Sequence, residues 1–338
     1  MGTLSVPSDK KCLLIDCDPG VDDSYAIMMA LAQFPKVEVV GITCANGNVG
    51  CRQVTMNAAR ILKLMGMLDK VPIFKGCDEP IVRNPGKLNA ASFHGSDGLG
   101  DVPDAEPRAD ENLLKLVQEE NAVNAILRLS KIHRGELQIL AIGALTNIAI
   151  ATKVDTDLPK RVKSIHILGG TIPGKGNFTP ASEYNFYTDP EAAHIVLNNF
   201  SPHCKVQLVT AELVTNHPLS VDWFDELLTG DEPKRQFYRE IFKKRQNEHL
   251  ERIKAGFYSG YLIWDTYSMG IVLDPTCVIG STKVRVGVEL GGNISRGSLI
   301  VDYNDIGGQQ YTLNEIELIE KLDMEKYKKL MANAFPSI

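Results

Sequence analysis

Residues 13–23 read LLIDCDPGVDD, an apolar run that passes straight into a Pro-Gly turn with acids on both sides of it. The run has the length and composition of a buried strand, and Asp22 and Asp23 stand where a helix reaching to Gln33 begins. Working outward, the same alternation repeats. Residues 11–17, 37–44, 137–142, 162–168 and 204–210 read as buried strands, and residues 23–33, 53–65, 121–132, 147–154 and 190–199 as helices between them. Strands alternating with helices imply parallel pairing and right-handed crossovers. The expected fold class is α/β: a single domain over 1–338, core about 11–335, with a mainly parallel, doubly wound central sheet flanked by helices.

Three further segments complete this reading. Residues 70–110 are rich in Pro, Gly and Asp and are too long for an ordinary connection, so they are expected to form an irregular functional loop region. Residues 217–260 turn charged and helical, as a flap beside the sheet would. Residues 284–290 and 298–303, joined through Gly291, Gly292 and Asn293, read as a late hairpin before a final helix over 313–332.

The 338 residues carry a formal net charge of -6, with 44% hydrophobic and 23% charged residues, which gives no electrostatic reason for a nucleic-acid partner. Small ligands are favoured. The seven cysteines form no CxxC pair, so reduced thiols and a cytoplasmic location are expected. Residues 1–11 lack an apolar signal segment, and no stretch is long and apolar enough for a membrane span. Val6 stands where a myristoylation signal needs Ser or Thr, and the sequons at Asn177, Asn199 and Asn293 are read as accidental.

Four carboxylates, Asp16, Asp18, Asp22 and Asp23, are crowded around one turn. A helix cap needs one acid, and like charges a few ångströms apart repel unless a cation, a shared proton or catalysis compensates them. An EF-hand does not fit: counted from Asp16, Gly20 arrives one place early and Ile27 stands where a bidentate Glu is required. Polar groups recur after the other strands: Asn46 and Asn48, Gly143 to Asn147, Asn177, and Glu212. An open α/β sheet binds its ligand at that edge.

With these residues in place, the chain resembles the inosine-uridine-preferring nucleoside hydrolase superfamily. The resemblance rests on DCDPGVDD from Asp16, GNVG around Asn48, HGSDGLG from His94, GALTNIA from Gly143, GNFTPASEYNFYTDPEAAH from Gly176, and Trp264-Asp265. It implies hydrolysis of the N-glycosidic bond of ribonucleosides by a water activated by Ca²⁺. Asp18, Asp23, the main-chain carbonyl of Thr146 and Asp265 match the metal ligands, with Asp18 also accepting the proton from water and Asp16 standing behind them. Asp22, Asn48, Asn177, Glu183 and Asn185 match the groups that hold the ribose. A homodimer or homotetramer is the corresponding expectation for assembly.

Activation of the leaving base is less uniform in the resemblance. Base-nonspecific members place a His, acting as general acid, immediately before the metal-binding Asp, where this chain has Trp264. An aromatic there matches purine-specific members, in which it stacks on the base, whereas Asn48 matches the nonspecific ones. Purine preference is expected, with base-nonspecific or uridine cleavage as the alternative. His94, His249, Tyr258 or Tyr261 are candidates for the base pocket, and Phe93 for the side facing Trp264. Asp16-Cys17-Asp18 also resembles the haloacid-dehalogenase-like phosphatases, but Pro19 replaces the usual Gly and Asp22 and Asp23 go unexplained. A noncatalytic nucleoside-binding protein is the remaining rival.

Overall fold

The computed structural model describes residues 10–82, 90–172, 175–307, 311 and 313–335. Strand β1 (Lys11–Cys17) lies inside the sheet, parallel to β2 (Val37–Cys44) on one side and to β4 (Leu137–Ala141) on the other. Beyond β2 lies β3 (Ile73–Lys75), and beyond β4 run β5 (Ser164–Leu168) and β6 (Lys205–Val209), all parallel. The far side closes with β7 (Val278–Val288), β8 (Leu299–Asp302) and β9 (Asn314–Leu322), in the order β3-β2-β1-β4-β5-β6-β9-β7-β8. The chain moves outward on one side of β1 and then returns to build the other side from β4. That reversal opens a crevice at the carboxyl end of β1, where Asp16 and Asp18 sit.

Alternation along β1 explains why both faces are covered. Leu13, Ile15 and Cys17 enter one apolar core, while Cys12 and Leu14 enter the other. Helices Val21–Ala32 and Trp264–Leu273 cover the first face, and Ala122–Ile132, Thr146–Val154 and Pro190–Phe200 the second. The expected α/β class and central strands therefore hold.

The late hairpin is present as the antiparallel β7–β8 pair. The expected helix over 313–332 is corrected: its first part is strand β9, parallel to β6 and antiparallel to β7, and only Met324–Ala332 is helical. Ile316, Ile319 and Leu322 fit a helical period, but Ile316 and Leu318 also alternate, and pairing between two strands outweighs the helix propensity of the glutamates. Asp323 then caps the helix by accepting from the backbone N–H groups of Glu325 and Lys326.

The 217–260 segment contains helices Val221–Leu227 and Pro233–Lys254. It is fastened rather than loose, because Phe224, Phe237, Tyr238, Ile241 and Phe242 are buried and Tyr238 meets Tyr25 edge-on at 4.8 Å. The 70–110 region supplies β3 and the short helices Ala91–His94 and, just beyond it, Glu111–Leu114. Its residues 83–89 lie outside the described residues, as do residues 1–9, Pro173 and Gly174. Among the described residues no helix is long and apolar enough to cross a membrane.

Candidate active site

Asp18 is the first acid beyond β1, and three loops converge on it. Its Oδ2 accepts from the backbone N–H of Asn48 at 2.7 Å, and the Asn48 side-chain amide donates to the Asp18 carbonyl at 3.0 Å. Gly47 and Gly143 press against the same carboxylate. A Cβ on Gly47 would stand 1.9 Å from Asp18 Oδ2, and one on Gly143 would stand 2.6 Å from Oδ1. Only glycine leaves room for the acid there. Asp18 Oδ1 is buried and has no hydrogen-bond partner among the described residues.

Asp23 folds back over the helix start. It accepts from Asp18 N at 3.2 Å, Gly20 N at 2.9 Å and Asn48 Nδ2 at 3.1 Å, so backbone N–H groups of the turn before the helix fix this acid. Asp22, Asp23 and Asp265 each bring one oxygen within 4.8 Å of the others. Asp18 stands beside this trio rather than in it. Asp22, which the resemblance gives to the sugar, is therefore as well placed toward a cation as Asp23 and Asp265.

Crowding and burial leave their mark on these acids. Burial first, then Asp22, pushes Asp23 up to about 7. Burial followed by the neighbouring acids holds Asp18 and Asp265 well above the usual carboxylate range. Asp16 is pushed up to about 7 by burial, but Thr43 Oγ1 and Asn147 Nδ2 donate to its Oδ1, and it does not line the pocket. An all-oxygen donor set with buried, unpartnered Asp18 Oδ1 and Asp22 Oδ1 suits a hard divalent cation. Thr146 is buried at the start of helix Thr146–Val154, and its hydroxyl donates to Asp189 at 2.6 Å.

The pocket takes in about 600 Å³ of space, part of it open solvent, and its lining includes Asp22, Asn48, Asn177, Glu183, Asn185 and Asp265. Asn185 Nδ2 donates to the carbonyls of Ile142 and Leu168, both at 3.1 Å, which ties this amide across two strand ends and leaves its oxygen to accept. Glu183 accepts from the backbone N–H groups of Gly170, Asn185 and Phe186, yet burial still pushes it up to about 7. Asn177 Oδ1 accepts from Tyr184 N at 2.9 Å. These groups line the pocket with hydrogen-bonding atoms of the kind that sugar hydroxyls meet.

The sequence of residues 13–329 matches the model of the inosine-uridine preferring nucleoside hydrolase family. The chain belongs to the nucleoside hydrolase family. An inosine-uridine preferring nucleoside hydrolase of Crithidia fasciculata is 31% identical over 331 residues, which is 97% of this chain and 98% of that one. Uridine nucleosidase 1 of Arabidopsis thaliana is 36% identical over 251 residues, 74% of this chain and 70% of that one. Among solved structures, an inosine-guanosine nucleoside hydrolase superposes with a TM-score of 0.86 at 28% identity, covering 97% of this chain and 99% of that chain.

Phe93, His94, Phe178, Arg245 and Trp264 also line the hydrolase pocket, with His94 Nδ1 3.8 Å from Asp22 Oδ1. His94 Nδ1 accepts from Val21 N at 3.2 Å, and burial lowers its pKa, so the ring is neutral with its proton on Nε2. Trp264 is 7% exposed and has no aromatic partner among the described residues. Phe93 lines the pocket, but its ring is already covered by the Arg245 guanidinium. His249, Tyr258 and Tyr261 do not line it. His249 is fully buried and bridges Arg245 O and Leu262 N, a structural role in place of the base-pocket one. Arg245 is the pocket residue that pattern reading missed, because one Arg in a basic helix looks like any other until that helix is docked.

Proposed function

We propose that this hydrolase cleaves ribonucleosides to free base and ribose with a calcium-activated water, and that it prefers purine nucleosides. The observation that carries this reading is the buried Asp18 Oδ1 without a hydrogen-bond partner, next in the chain to the Asp22, Asp23 and Asp265 cluster of a polar-lined pocket. Asp18, Asp23, Asp265 and the Thr146 carbonyl would hold the ion, with Asp22 close enough to share in its field. Bound there, Ca²⁺ would supply Lewis acidity that lowers the pKa of water.

Asp18 Oδ1 then accepts the proton as water attacks the anomeric carbon. Positive charge grows on the sugar as the C1′–N bond lengthens, and the acids around it stabilise that state more than the neutral nucleoside. Asn48, Asn177, Glu183 and Asn185, with Asp22, would grip the ribose hydroxyls and hold C1′ against the water. Trp264, which lines the pocket, would stack on the base, and a larger ring system gains more from stacking.

The test is release of free base and ribose from inosine, guanosine, adenosine, uridine and cytidine by purified protein. Absence of ribose from all five would leave a binding protein in place of an enzyme. Trp264→Ala is expected to lower kcat/KM for inosine by about ten- to a hundredfold, the range of one base–aromatic stack, and to lower uridine cleavage less. Equal losses for both would remove the purine preference. Uridine cleavage is the second reading, favoured by the substrates named for the Crithidia and Arabidopsis relatives.

A further inference from the structure

Tyr184 lies in the chain between Glu183 and Asn185 and lines the pocket with them, while its hydroxyl reaches the loop after β2 and donates to the Gly47 carbonyl at 2.6 Å. The other end of that peptide group is also held. Its N–H, which belongs to Asn48, donates to Asp18 Oδ2 at 2.7 Å. One rigid peptide plane therefore joins a phenol on one side to the proposed proton acceptor on the other. The fit leaves no slack, since a Cβ on Gly47 would stand 1.9 Å from Asp18 Oδ2.

Tyr184 is itself fixed. Its backbone N–H donates to Asn177 Oδ1 at 2.9 Å, its carbonyl accepts from Thr188 at 2.8 Å, and Phe178 meets its ring edge-on at 5.2 Å. Burial, followed by the nearby Asp18 charge, pushes the phenol above its ordinary value, with Thr188 also in hydrogen-bonding reach of the hydroxyl, so the proton stays on and the group donates. Hydrogen bonds in a chain strengthen one another, so the phenol makes the Asn48 N–H a better donor, and a plane held at both ends resists rotation. Asp18 Oδ2 is fixed in this way, and Oδ1, without a partner among the described residues, is left to meet the water.

We infer that Tyr184 is a positioning residue for nucleoside hydrolysis, its hydroxyl holding the Asp18 carboxylate, through the Gly47–Asn48 peptide, in register with Glu183 and Asn185. The acid that takes the proton and the groups that hold the ribose come from different loops, and a small displacement of one against the other slows the attack without loosening the substrate. Tyr184 belongs to the second loop and fastens the first. This inference deepens the nucleoside-hydrolase reading and rests on its assignment of Asp18 as proton acceptor.

Tyr184→Phe removes one oxygen and keeps the ring against Phe178. Hydrogen exchange of the Asn48 amide in the chelated protein, read by NMR, should quicken about two- to tenfold in this variant, the loss of one neutral hydrogen bond. An unchanged exchange rate would overturn the inference. Steady-state cleavage of inosine by the wild type, Tyr184→Phe, Asp18→Asn and the double variant reads the consequence. Tyr184→Phe should lower kcat about tenfold while KM stays within about threefold. In the Asp18→Asn background the same substitution should cost less than about twofold, because the two residues act as a unit. Equal losses in both backgrounds, or a change confined to KM, would place Tyr184 on the substrate itself and overturn the inference, as would an unaltered kcat. Were no nucleoside cleaved by the wild type, the functional reading would fail alone, and the exchange rates would still decide whether Tyr184 holds the peptide.

Discussion

Asp18→Asn is expected to lower kcat for inosine by about 10³- to 10⁴-fold, because the substitution keeps an oxygen for the Asn48 N–H but removes the free carboxylate oxygen that takes the proton. The loss should appear in kcat more than in KM, since Asp22, Asn48, Asn177, Glu183 and Asn185 still line the sugar end of the pocket. Folding is not the reason for the loss. Taking one negative charge out of a crowded, buried cluster relieves repulsion, so the chelated variant should melt no lower than the chelated wild type. Steady-state kinetics with a thermal melt checks both halves. A fall in kcat smaller than tenfold would assign the proton to another group.

The fold was readable where local pattern and tertiary role agree. β1 is apolar on both faces because helices cover both, and the acids after it are placed by the turn that ends it. Strand β9 was not readable, since Asn314–Leu322 satisfies a helical as well as a strand period and is decided by β6 and β7 lying on either side. At the site, Asp18, Asp22, Asp23 and Asn48 announced themselves by crowding three acids and an amide around two turns. Gly47 and Gly143 were visible only as members of motifs, and their reason is steric: each gives way to the Asp18 carboxylate. Arg245 gave no local sign of a pocket role. Its ion-pair partner Glu248 is three residues on in the same helix, while Phe93 lies on another element and meets it only after helix Pro233–Lys254 has packed through Tyr238 against Tyr25.

Removing the divalent cation should abolish base release, by at least about 10³-fold, with calcium restoring it better than magnesium because an irregular set of carboxylates and a carbonyl suits the larger, less demanding ion. The same cluster sets how stability follows pH. In the chelated protein Asp23 is pushed up to about 7, and Asp18 and Asp265 lie above the usual range, so between roughly 4 and 7 the folded chain holds protons that the unfolded chain has released. Raised folded-state pKa values add stability that is present below the unfolded values and lost as pH climbs through the folded ones. The chelated hydrolase should therefore lose roughly 5–10 °C in Tm between pH 5 and pH 8. Calcium replaces those protons, so the loaded protein should hold its Tm across the window and the two curves should meet near pH 5, where protons displace the ion. A chelated protein whose Tm stays flat from pH 5 to pH 8 would mean that the acids keep their charge without a cation, and the case for a metal at Asp18, Asp23 and Asp265 would fall with it.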